Sequence, residues 1–210
     1  RTISHNEYKE LLTQSTLLQT DRGVEKVLRL SDGNFMKTFR QRRLASSRRI
    51  YPERLRFALN AAILSDEATE CYRIVDNTNS TSEAEGIIYC PLEGKSLRQV
   101  AAEGGFTSKL AFRLGKFMAG LHQKGIYFHA LHLGNILLCP DNRFGLIDIS
   151  DIRPYPWPLW PTTRLRNFKP IFRIQEDRQI ITESGVQNLL DGYFAQEHSA
   201  LCRKVMAKVF

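Results

Sequence analysis

The stretch FHALHLGNILLCPDNRFGLIDIS, residues 128–150, decides the reading of this chain. Its two apolar runs, Ile136-Leu137-Leu138 and Phe144 to Ile147, have the length and content of strands, and Pro140-Asp141-Asn142 between them supplies turn residues. A hairpin is therefore expected, with the polar insert His129 to Asn135 at one end and Asp148 at the other. Asn135 and Asp148 stand 13 positions apart, close to what a tight hairpin needs to bring an amide oxygen and a carboxylate to one metal ion. A magnesium ion on nucleotide phosphates needs a few oxygen ligands at about 2.1 Å and keeps water for the rest, so one Asn and one Asp suffice.

Upstream, Leu110, Leu114, Phe117, Met118 and Leu121 form a helical stripe over Thr107 to Lys124, and Gly125 supplies the stop. Before it, Gly86 to Cys90 reads as a buried strand halted by Pro91-Leu92-Glu93-Gly94, and a lobe boundary is placed there, giving residues 1–91 and 92–210. Ser4 to Gln14 has helical spacing, and Ser15 to Asp21 and Val24 to Leu30 read as a hairpin. After the turn Ser31-Asp32-Gly33-Asn34 comes the strand Phe35 to Phe39, whose alternation puts Lys37 on one face with Phe35 and Phe39. Taken alone, such a lysine is an edge-strand residue whose ammonium reaches water. Tyr51-Pro52-Glu53 opens a helix to about Leu64, a strand follows near Tyr72 to Val75, and Asp76 to Ser82 reads as a loop. Downstream, residues 154–170 hold five prolines and both tryptophans and predict an irregular surface segment, followed by helices near Asp177–Ile181, Gly185–Phe194 and Ser199–Phe210. Strands first and helices afterwards give an α+β body of two lobes.

Composition narrows the partner. Of 210 residues, 30 are Lys or Arg and 22 Asp or Glu, a net charge of +8 that attracts phosphates, anionic head groups or nucleic acid. With 42% hydrophobic and 25% charged residues, disordered and fibrous classes are excluded. The four cysteines form no C-x-x-C pair, so neither a disulfide framework nor a zinc site is suggested, and a reducing cytoplasm fits. The chain opens on a polar stretch unlike a signal peptide, and no run approaches the ~18 apolar residues of a spanning helix, so membrane contact is expected to be peripheral. Arg40, Arg42, Arg43, Arg48, Arg49, Arg164, Arg166, Lys169 and Arg173 form either an anion-binding face or ordinary solvated charge. Without a stacking-aromatic motif beside them, no nucleic acid partner is expected. The segment Tyr155 to Pro161, YPWPLWP, either meets a membrane interface or packs over a lobe.

At Lys37, at the loop H-A-L-H-L-G-N ending on Asn135, and at Asp148 the chain resembles the protein-kinase-like superfamily. That superfamily carries a strand lysine, a loop H-R-D-x-x-x-x-N or H-G-D-x-H-x-x-N, and a metal-binding D-F-G. Within it, FHALHLGNILL, LIDISDIR and RLRNF resemble the bacterial lipopolysaccharide kinase family, the Kdo and core-heptose kinases and their toluene-tolerance-type relatives. The resemblance implies a protein-kinase-like two-lobed fold, with a small antiparallel-sheet N-lobe and a mainly helical C-lobe. It also implies ATP and Mg²⁺ as cofactors and an anionic sugar or glycolipid acceptor, met in the cytoplasm or at the inner membrane surface. Lys37 matches the phosphate-binding lysine, Asn135 the loop asparagine and Asp148 the D-F-G aspartate, here in Asp-Ile-Ser. Tyr89, Cys90 and Leu92 fall on the hinge that offers backbone groups to adenine.

The departures bear on activity. The position of the aspartate that accepts the substrate proton is Ala130, whose methyl group takes no proton. His132, where kinases carry a lysine near the transferred phosphoryl, and then His129 are either a substitute base or phosphate contact or residues that order the loop through backbone hydrogen bonds, and Asp151 either approaches the missing base's position or caps the following turn. Asn60 falls where a glutamate would pair with the strand lysine, with Glu53 as the other candidate, and Gly23 stands alone where protein kinases have a glycine-rich loop. Two functions follow: an atypical phosphotransferase, or a pseudokinase acting as a nucleotide-binding or scaffolding regulator of envelope biogenesis.

Overall fold

The computed structural model describes residues 2–21, 24–40, 53–64, 70–75, 84–197 and 199–206. Gly23, Arg42, Arg43, Arg48, Arg49, the turn Tyr51-Pro52, the Asp76–Ser82 stretch and the last four positions of the terminal helix lie outside the described residues. The chain divides into two compact units, Arg1–Pro91 and Leu92–Phe210.

In the first unit the elements run β1 (Thr2–Ser4), α1 (His5–Thr13), β2 (Thr16–Asp21), β3 (Val24–Arg29), β4 (Phe35–Arg40), α2 (Glu53–Leu64), β5 (Glu70–Val75) and β6 (Ala84–Tyr89). They form one six-stranded sheet in the order β1-β5-β6-β4-β3-β2, antiparallel except for the β1–β5 pair. The β3–β4 turn closes as the sequence suggests: Leu30 N–H donates to the Asn34 carbonyl at 2.8 Å, Asp32 accepts from Asn34 N–H at 2.9 Å, and Gly33 takes the positive φ of 88°. Strand alternation then sorts the faces. Met36 lies opposite Leu28 and Ile88, and Tyr8, Leu11 and Leu12 of α1 pack against that side. Lys37 lies opposite Val27 and Ile87 on the other side. β4 is an interior strand, so the edge-strand reading of Lys37 does not hold.

The second unit contains β7 (Lys95–Ser96), α3 (Leu97–Ala102), α4 (Ser108–Gln123), β8 (Ile126–Phe128), β9 (Ile136–Leu138), β10 (Phe144–Leu146), β11 (Ile152–Pro154), α5 (Pro161–Arg173), α6 (Gln175–Ser184), α7 (Val186–Gln196) and α8 (Ala200–Met206). Two small sheets, β10-β9-β7 and β11-β8, sit among the helices. Ser96 and Gln99 form a reciprocal capping box that starts α3, and Thr107 caps α4. The stripe read from sequence is buried in α4 at Leu110, Leu114, Met118 and Leu121. α4 approaches α7 closely: a Cβ on Gly115 would run into the Leu189 carbonyl, and one on Gly192 into the Phe112 carbonyl.

Of the expected irregular segment 154–170, residues 155–160 are irregular and residues 161–170 are not. The irregular strap ends at Trp160, and Pro161 begins α5, where a missing N–H costs nothing because the first turn has no partner for it. Pro170 lies inside the last turn. Proline density suggested a loop, yet the pattern Arg164, Asn167, Phe168, Ile171 is the buried side of a helix.

Candidate functional site

The loop after β8 is set from below by a buried polar network. Asn167 of α5 accepts the Phe128 N–H through Oδ1 at 3.3 Å and donates through Nδ2 to the Phe128 carbonyl. His122 of α4 orients that amide, with Nε2 3.2 Å from Asn167 Oδ1 and Nδ1 2.8 Å from the Tyr193 hydroxyl. Burial holds the His122 pKa down to about 3, so the ring is neutral. An Oδ1 acceptor requires Nε2–H, so Nδ1 accepts from the Tyr193 hydroxyl. Burial raises the Tyr193 pKa in turn. Arg164 completes the network: it is 4% exposed, pairs with Glu197, and donates from Nε to the Leu159 carbonyl at 2.6 Å. Arg164 therefore belongs to the interior and not to an anion-binding face. The RLRNF segment contributes Arg164, Asn167 and Phe168 to this interior.

The loop is also pinned from the side. Leu131 and Leu133 are fully buried, Leu131 N–H returns to the Phe128 carbonyl at 3.2 Å, and Leu133 N–H donates to Asp177 at 2.9 Å. Asp177 takes the Arg98 Nε on its other oxygen at 2.5 Å, and Glu176 lies 3.4 Å from the same guanidinium nitrogen. Sequence reading missed Arg98, Asp177, His122 and Asn167 as parts of this support. Arg98 and Asp177 are 79 positions apart, and an acidic residue in a first helical turn already has a local explanation in the helix dipole.

At the loop's end Asn135 Nδ2 donates to the Ala130 carbonyl at 3.0 Å, which commits its nitrogen inward and leaves Oδ1 as the oxygen donor. The β9–β10 pairing, with Ile136 opposite Leu146, continues one step further through Ile147 N–H to the Asn135 carbonyl at 3.0 Å. Asp148 comes next, exposed and in the left-handed region at φ 55°, ψ 41°, a conformation Asp tolerates better than most residues. The hairpin thus sets the Asn135 backbone against Ile147, the neighbour of Asp148 in sequence; an amide oxygen and a carboxylate are hard donors of the kind that suit magnesium. Among the described residues no cluster of three or more His, Cys, Asp or Glu could hold a metal. Leu92 lies over β10, its Cδ1 3.0 Å from where a Gly145 Cβ would stand.

In the first unit Lys37 is 6% exposed, with Nζ 5.4 Å from the centre of the Phe57 ring. Phe57 also meets Tyr89 at 5.0 Å, and Asn60, one turn further along α2, is buried. Lys37 and Tyr89 are therefore gathered around one aromatic side chain. Cys90, just beyond, is exposed.

No family model and no curated protein matches the chain. Among solved structures it is similar to a divergent kinase that lacks the glycine-rich loop and regulates membrane ultrastructure of the Toxoplasma parasitophorous vacuole. That match has a TM-score of 0.50 and 12% identity over 96% of this chain and 82% of the other. The fold is kinase-like. Two structures of WbdD, described in one case as a bifunctional kinase-methyltransferase, align with TM-scores of 0.43 at 15% and 13% identity. They cover 78% and 87% of this chain, which spans only 43% and 46% of theirs.

The kinase-like loop carries its two histidines in different settings. His132 is half-buried, and its Nδ1 is buried with no hydrogen-bond partner among the described residues. Burial, and then the Arg98 cation, lower its pKa, against the opposing pull of Asp177 and Asp148. Gly134 leaves room for this arrangement, since a Cβ there would stand 3.1 Å from Arg98 Nη1 and 3.2 Å from His132 Nδ1. His129 is exposed and edge-on to Tyr127 at 4.6 Å, with its pKa lowered by burial and then by Arg153. Its backbone N–H donates to the Asp151 carbonyl at 3.3 Å. Both rings are neutral at neutral pH and able to take a proton, which Ala130 cannot do.

Proposed function

We propose that the chain is an atypical ATP-dependent phosphotransferase of the lipopolysaccharide kinase type, acting on a sugar hydroxyl of lipopolysaccharide core or a related glycolipid. What supports this reading is the β9–β10 hairpin, whose last backbone hydrogen bond, from Ile147 N–H to the Asn135 carbonyl, falls next to Asp148 at the end of a buttressed loop. Asn135 and Asp148 would hold Mg²⁺, which neutralises charge on the transferred phosphoryl group. Lys37 offers its ammonium to the phosphates as a point charge. Tyr89, Cys90 and Leu92 supply backbone groups to adenine. His132 accepts the hydroxyl proton in place of the carboxylate that Ala130 lacks, a role that contributes ~10²–10⁴-fold in rate.

A thermal-shift titration with ATP and Mg²⁺ tests nucleotide binding, because selective binding to the native state raises the midpoint. Phosphate incorporation from ATP into lipopolysaccharide core, compared between the native chain, Asp148→Ala and His132→Ala, tests transfer. Incorporation unchanged by Asp148→Ala would remove the mechanism. Ala130 and the uncharged Asn60 favour a second reading, a pseudokinase that binds nucleotide and serves as a regulator of envelope biogenesis. A midpoint shift without incorporation into any acceptor selects it.

A further inference from the structure

Three aromatic rings stand in water at the start of a row of cations. Tyr155 is 37% exposed, Trp157 55% and Trp160 67%, so each ring keeps a large part of its surface open to water. Their backbone is nevertheless fixed. Tyr155 N–H donates to the Gly125 carbonyl at 2.9 Å and Leu159 N–H to the His122 carbonyl at 2.9 Å. Leu159 points inward, and its carbonyl is held by Arg164. Gly125 has φ 75°, and the carbonyls of Tyr155 and Trp157 fill the place a Cβ would take. The strap is thus tied down at several points with its large side chains turned out.

The strap runs into α5, whose sequence PTTRLRNFKPIFR contains no acidic residue. Arg166, Lys169 and Arg173 are all exposed, and their spacing of three and four places them along one side of the helix. Exposed apolar patches mark interaction surfaces, and tryptophan and tyrosine settle at the depth of lipid head groups, where an apolar ring with a polar edge is satisfied on both counts. Basic residues beside such rings match the negative potential of anionic lipid, each contributing about fivefold in partitioning. Among the described residues no helix is long and apolar enough to cross a membrane.

We propose that Tyr155, Trp157, Trp160, Arg166, Lys169 and Arg173 form a docking surface that seats this chain on an anionic phospholipid bilayer. The surface acts without nucleotide, so it stands independently of the phosphotransferase reading. Trp157 and Trp160 are the only tryptophans in the chain, so intrinsic fluorescence reports this patch alone. The test titrates the full chain with phosphatidylcholine vesicles and with vesicles containing phosphatidylglycerol, following tryptophan emission and co-sedimentation. The expected result is a blue shift and sedimentation with the anionic vesicles, reversed by salt, and quenching by brominated acyl chains. The variant R166E/K169E/R173E keeps both tryptophans and should partition at least about 100-fold more weakly, while W157A/W160A should lose sedimentation with an unchanged far-ultraviolet spectrum. Sedimentation without a blue shift would place the contact elsewhere and overturn the proposal, as would equal binding to neutral vesicles. A blue shift that grows with protein concentration in the absence of vesicles would overturn it in favour of a contact between copies.

Discussion

The fully buried carboxylate of Asp177 accepts the Leu133 N–H at 2.9 Å on one oxygen and the Arg98 Nε at 2.5 Å on the other. A charged group with no exposed surface is tolerable only when its lone pairs are engaged, and here the engagement fixes the middle of the loop between His129 and Asn135. α6 thereby fixes the course of a loop to which it contributes no residue.

Asp177→Ala is expected to destabilise the chain by about 2–3 kcal/mol, because the Leu133 N–H loses its acceptor while the part-exposed Arg98 recovers water. Asp177→Asn, which can still accept from Leu133, should cost less. Urea unfolding curves with an unchanged m-value check both.

Asn135→Ala and Asp148→Ala should each weaken the Mg²⁺–ATP-dependent rise in melting temperature by roughly tenfold or more in apparent affinity, since each removes one of the oxygens proposed to hold the metal. Chelating Mg²⁺ in the native chain should abolish most of the rise. A nucleotide effect that survives EDTA and both substitutions would dissociate nucleotide binding from the hairpin.

With His132 already taking the proton, Ala130→Asp should change turnover little in the native chain but restore ~10²–10⁴-fold in the His132→Ala background, because it returns a carboxylate five positions before Asn135. Steady-state phosphate transfer, measured alongside His132→Ala, reads this directly. A fall in rate on Ala130→Asp would show that the loop has been rebuilt around the histidine.

Stability should fall as pH drops. His122 binds a proton near its ordinary 6.5 when unfolded and only near about 3 when folded. Between those values the unfolded chain holds more protons, so its contribution is complete above about 6.5 and declines by about 1.4 kcal/mol per pH unit on the way to 3. His129 and His132, also lowered, act in the same direction. Chemical denaturation at several pH values should show this slope, and His122→Gln should flatten it.

Gly192→Ala should destabilise by about 1–3 kcal/mol or more, because the added methyl meets the Phe112 carbonyl and must force α4 and α7 apart. Calorimetry of the variant measures this cost.

Much of the fold was legible from pattern. The α4 stripe and the hairpin over residues 136–147 depend on neighbours within a turn or a strand, and periodicity records such neighbours directly. The β9–β10 register was legible for the same reason, since two short strands joined by a short turn leave little freedom in their pairing. Proline content marked the irregular strap 155–160 but misled the reading of residues 161–170, because a proline at a first helical position is counted as a breaker although it breaks nothing there.

By itself the sequence determined an α+β kinase-like body, its alternating strands, its capped helices and the identity of the side chains at the loop. Only the tertiary structure decided which polar groups are interior. Arg164 and Lys37 looked like surface cations and are buried, while Trp157 and Trp160, which the sequence left between packing and a membrane interface, are more than half exposed. The reason is that burial of a polar group depends on partners distant in sequence, as Arg164 depends on Glu197 and Asp177 on Arg98. Local pattern carries no record of pairs that only folding brings together.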